Sequence, residues 1–85
     1  MNLTEAMNTY NIALHNINKR GFEISIKLDE SKEEIQFWVA KKGDDIVTAF
    51  TPLSLLALVV IYDQYGEKWN HVEAGDIYDE ILNRY

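Results

Sequence analysis

Eighty-five residues make one domain, the 47% apolar content is enough for a single core, and zero cysteines exclude a disulfide scaffold, a thiolate metal site and a cysteine nucleophile. The net charge of −6 arises wholly in the second half: residues 1–43 hold six acids and six bases, whereas residues 44–85 hold eight acids against Lys68 and Arg84. A field of that sign repels nucleic-acid backbones and anionic lipid, which argues against direct binding of either, and attracts a protein with a basic surface.

The opening MNLTEAMNTY lacks the basic and apolar regions of a secretory leader, so together with the missing cysteines it fits a cytoplasmic protein. Apolar residues at Leu3, Met7, Tyr10, Leu14 and Ile17, broadened by Ala6 and Ala13, predict a first helix. Asn2 and Glu5 form a weak capping box at its start, and Lys19-Arg20-Gly21 supplies a basic last turn with a glycine stop. Its polar side carries Asn8, Asn11, His15 and Asn18 at spacings of three, four and three. Asparagine is a poor interior helix residue, and a neutral amide stripe meets a protein partner without desolvating charge. His15 and His71 stand in no ligand or catalytic spacing, and we expect both at the surface.

Phe22–Leu28 alternates with period two, placing Phe22, Ile24, Ile26 and Leu28 on one face of a strand. Asp29–Glu34 returns the chain, and a second strand follows with Ile35, Phe37 and Val39 expected to point inward. That assignment puts Gln36 and Trp38 on the opposite face, where Trp38 is a candidate hot spot of a protein contact or homodimer. Lys42-Gly43-Asp44-Asp45 reads as a turn into a third strand at residues 46–50, and short connections favour an antiparallel meander.

Thr51 as N-cap and Pro52 at the first helical position open a second helix, which Gly66 ends. Apolar residues cover nearly all its sides from Leu53 to Tyr62, so it is expected to be buried all round and to be the most protected element. The run Leu55–Tyr62 is too short to span a hydrocarbon layer of about 30 Å. Trp69 is expected to pin the next connection onto the core. Ala74, Ile77, Tyr78, Ile81, Leu82 and Tyr85 then predict a last helix, with Asp76 or Asn70 as its cap.

The fold class is therefore α+β, a small single domain of order α-β-β-β-α-α, with a three-stranded antiparallel meander and helices packed on one face. Glu73, Asp76, Asp79 and Glu80 crowd the last helix, where they read as a docking surface for basic groups or as a solvated face. No metal or cofactor is expected, because hard cations need oxygen ligands converging from more than one element. The chain has no GxSxG, HExxH or Gly-rich phosphate loop, so the expectation is not an enzyme but a non-catalytic protein-binding module. It would be a small acidic inhibitor, immunity-type or regulatory protein acting by surface occlusion, with a homodimer in view. An acidic mimic blocking a nucleic-acid-binding protein and a small hydrolase-like enzyme are the alternatives.

Overall fold

The computed structural model describes all residues, Met1–Tyr85. Helix α1 (Tyr10–Lys19) leads into strands β1 (Glu23–Leu28), β2 (Ile35–Lys42) and β3 (Asp45–Ala49), then helices α2 (Pro52–Tyr65) and α3 (Ile77–Leu82). The strands form an antiparallel sheet in the order β1-β2-β3, so the α+β meander read from the periodicity is the fold.

The core forms where α1 and α2 cross one face of the sheet. Ile17 from α1, Phe22 at the entry to β1, Ala40 and Ala49 from the sheet, and Leu55 and Val59 from α2 make one buried cluster. Two of its sheet residues are alanines for a steric reason. Ala40 and Ala49 let the helices lie close enough for Ile17, Leu55 and Val59 to be fully buried.

That same close approach reverses the expected orientation of β2. Trp38 and Ala40 point toward the helices, and Trp38 packs half-buried against the core, whereas Phe37 and Val39 face the other way. Both sides of β2 are apolar, so alternation alone does not choose between them, and a one-residue change of phase exchanges every side chain. Small residues were needed beneath the helices. A bulge also breaks the phase: Lys27 pairs with Phe37 but Leu28 pairs with Ile35, which leaves Gln36 as the extra residue.

Two tight connections fix the meander. Asp29 organises the first: its carboxylate accepts from the Ser31 hydroxyl at 2.8 Å and from the Glu33 N–H at 3.1 Å. The Ser31 hydrogen bond, reinforced by the Glu33, Glu34 and Lys32 backbone bonds and opposed by partial desolvation, holds the Asp29 carboxyl below the usual carboxylate range. The second is a two-residue hairpin at Gly43-Asp44, where Gly43 adopts φ 61°. A side chain at that first turn position would be strained.

Helix α2 starts as its sequence implies, with the Thr51 Oγ1 accepting from the Ser54 N–H at 3.0 Å and Pro52 in the first turn. It ends at Gly66, whose φ is 63°. Expectation and structure part on its burial. Leu55 and Val59 are buried, but Leu58 and Ile61 remain 41% exposed, because α1 and the sheet cover one side and α3 does not cover the other.

Both chain ends differ from the periodicity reading. The first helix begins only at Tyr10, after a 3-10 turn at Met7–Thr9; Leu3 and Met7 stay exposed, and no side-chain cap forms. At the other end, a 3-10 segment (Gly66–His71) is followed by the short α3, and every residue from Glu67 to Tyr85 is exposed. Asp76 precedes α3 without a side-chain cap bond. Ten or more residues are normally needed before helical periodicity secures a helix, and then mainly through packing of the apolar face. Neither terminal segment gains that packing.

Candidate protein-binding surfaces

Trp38 and Gln36, the amide stripe and the acidic group lie in three separate regions of the chain. Trp38 is turned toward the helices, away from the face that carries Ser25, and Gln36 sits exposed at the bulge. Trp38 on the open sheet face is thus corrected to Phe37, Val39 and Phe50. Phe37 and Phe50 stack there with ring centroids 5.7 Å apart, and Phe50 is 78% exposed.

Asn11, His15 and Asn18 are exposed along α1, whereas Asn8 lies in the preceding 3-10 turn, off the helical stripe. Glu73, Asp76, Asp79 and Glu80 all lie in the exposed segment from Val72 to Tyr85, hereafter the C-terminal arm. Its helix α3 makes no substantial contact with any other element, and it leaves Ile77, Tyr78, Ile81 and Leu82 exposed beside the acids. No three histidine, aspartate or glutamate side chains lie together in a way that would hold a metal ion.

A groove of about 330 Å³, not expected from the sequence, lies between the free edge of β3 and α2. Ile46, Val47 and Thr48 form one wall, Leu58, Ile61 and Tyr62 the other, and Trp69 lines it as well. Trp69 therefore touches the body through this groove but stays 59% exposed rather than anchoring the connection in the core. The available signal was the run Ile46–Phe50, which lacks a charge on either face.

A polar junction holds the groove's walls in place. The Tyr62 hydroxyl donates to the Asp45 carboxylate, tying α2 to the start of β3. That hydrogen bond, with desolvation and the negative charges of Asp45, Glu67 and Asp63, pushes the Tyr62 hydroxyl above its ordinary value. Phe22 meets the Tyr62 ring edge-on at 5.7 Å, and the Lys42 ammonium lies 5.5 Å from the Phe22 ring centroid. Arg20 pairs with Asp63 at 2.9 Å, joining the end of α1 to α2. The Lys42 Nζ also donates to the Arg20 carbonyl at 3.1 Å. All of these groups hold elements of the chain to one another.

No helix is long and apolar enough to cross a membrane. Comparison with known proteins finds no family model, no curated protein and no solved structure that matches this chain.

Proposed function

We propose that this chain is a non-catalytic protein-binding module, a small inhibitor or regulatory protein that works by covering a functional surface of its partner. One observation carries the reading: the fold leaves far more surface uncovered than its mass requires. A compact protein of this size exposes about 5,200 Å², whereas the chain of 9.9 kDa exposes 7249 Å². The excess, roughly 2,000 Å², is larger than the roughly 800 Å² one partner contributes to a standard interface. The radius of gyration, 15.1 Å against about 12 Å for a compact chain of this length, has the same origin.

Much of the uncovered surface is the C-terminal arm. Its apolar row fits the mode in which an amphipathic helix enters a partner's groove, and Glu73, Asp76, Asp79 and Glu80 fit a basic rim around that groove. The partner is thus a protein with a basic surface, approached faster because opposite charges steer the encounter. Self-association into a homodimer belongs to the same proposal, since Leu58 and Ile61 on α2 stay exposed and Trp69 covers them only in part. We place the activity in the cytoplasm, which fractionation of the source cells would test.

The test is affinity capture with the full chain from an extract of its source, against two variants. One replaces Ile77 and Ile81 by Ser, and the other replaces Asp76, Asp79 and Glu80 by their amides. A basic protein retained by the wild type, lost with the serine variant and captured more slowly at low salt with the amide variant is the expected result. Retention that ignores both sets of changes would refute the arm as the binding element.

A further inference from the structure

The open face of the sheet is apolar at its centre and basic toward its ends. The strand register puts Lys27, Phe37, Val39, Lys41 and Ile46 on the side away from the helices, with Phe50 beside Phe37. Lys27 and Lys41 bracket the apolar residues about 14 Å apart, four residues along the strands and one strand across. Arg20–Asp63 is the one ion pair of the chain, so both ammonium groups are unpaired, Lys41 even from Glu23 opposite it.

The C-terminal arm has the complementary composition. Ile77, Tyr78, Ile81 and Leu82 share one side of α3, each at least 45% exposed, and Asp79 and Glu80 flank that side at 100° per residue. With Glu73 and Asp76 the arm holds four acids against Arg84. It leaves the body at the β3 edge, where Trp69 lines the groove with Ile46. The six chain steps from His71 to Ile77 reach about 20 Å, and β2 lies only about 5 Å beyond β3. Gly75, with φ 75°, lets this linker reverse its direction.

We infer that the arm is a strap that folds round the β3 edge of its own chain, laying Ile77 and Ile81 against Phe37, Val39 and Phe50 with its acids toward Lys27 and Lys41. Charge and reach both single out this occupant. A short tether sets an effective concentration on the order of mM, so even a weak contact is populated. The apolar row supplies most of that contact and the lysines orient it, since exposed ion pairs contribute little. Its consequence rests on the arm being the binding element, as proposed above: a seated strap withholds its apolar row, and a partner's apparent affinity falls with the fraction of arms left open.

The test uses the full chain. It has no cysteine, so Asn83→Cys accepts a nitroxide on the arm alone. In isotope-labelled protein the nitroxide should broaden the amide resonances of Ser25, Phe37 and Val39 and spare those of Asn11 and His15 on α1. Ile77→Ser with Ile81→Ser, or Phe50→Ser alone, should abolish the broadening, and Lys27→Glu with Lys41→Glu should weaken it. If Phe50→Ser fails to fold by circular dichroism, the arm variant still decides, because α3 makes no substantial contact with the body.

Mixing nitroxide-bearing chain without isotope and isotope-labelled chain without nitroxide should give no broadening. Broadening in that mixture would mean that the arm crosses to a second copy, and overturns the strap. Sharp Ser25 and Phe37 resonances in the singly labelled chain overturn it too. Neither result touches the arm's role toward a partner, which the capture experiment decides separately.

Discussion

Truncating Leu55 to alanine should remove a large part of the stability of this fold, whereas the same change three residues on should not. Leu55 is fully buried between Ile17, Phe22, Ala40, Ala49 and Val59. Three carbons withdrawn from that site cost about 2.4 kcal/mol in transfer free energy, at about 0.8 kcal/mol each. A residual cavity of about 40 Å³ adds about 1 kcal/mol, because the alanines beneath the helices carry only a methyl group and cannot reach to fill it. The sum, about 3.5 kcal/mol, compares with a total of about 4–13 kcal/mol for 85 residues. Only 8 of 85 residues are buried, so the total should lie near the lower end.

Leu58 is 41% exposed in the monomer, and water refills the space its side chain leaves, so Leu58→Ala should cost about 1–1.5 kcal/mol. Urea unfolding followed by the fluorescence of Trp38 and Trp69, in chain dilute enough to be monomeric, measures both. The corresponding loss in melting temperature for Leu55→Ala is about 15–25 °C. Equal costs for the two variants in the dilute chain would refute the placement of α2, since they would mean that it is covered on both sides.

Four further outcomes are expected. Thr51→Ala removes the side-chain acceptor for the Ser54 N–H and should lower stability by about 1 kcal/mol in the same denaturation assay, with no loss of native secondary structure. The Tyr62 hydroxyl, raised by its bond to Asp45, should titrate above the ordinary tyrosine value in an ultraviolet absorbance titration, and Tyr62→Phe should delete that step. Because the folded value lies above the unfolded one, the hydrogen bond's contribution is complete below about pH 10 and is lost as pH rises through the folded value. Replacing Asp76, Asp79 and Glu80 by amides should slow association with a basic partner at low salt and change it little near 300 mM; identical rates for both forms at 20 mM would identify the acids as plain solvated surface. Dimer formation should respond oppositely, strengthening with salt as repulsion between two chains of net charge −6 is screened.

Local chemistry determined much of this protein. Period-two alternation at Phe22–Leu28, the two-residue turn at Gly43-Asp44 and the Thr51-Pro52 start with the Gly66 stop each depend on a few neighbouring residues. They gave the order of elements and the meander. Burial depends instead on what lies across a gap. The face of β2 was decided by the small side chains required where α1 and α2 cross the sheet, together with a bulge at Gln36. Whether the apolar positions of the first nine residues and of the C-terminal arm are covered was likewise decided by docking, which neither segment achieves. The candidate surfaces followed the same division. Acids concentrated near the C-terminus were legible as charge in the chain, but the groove was not. It exists only because folding sets the uncharged edge of β3 beside the uncovered side of α2, and no spacing along one element encodes a relation between two.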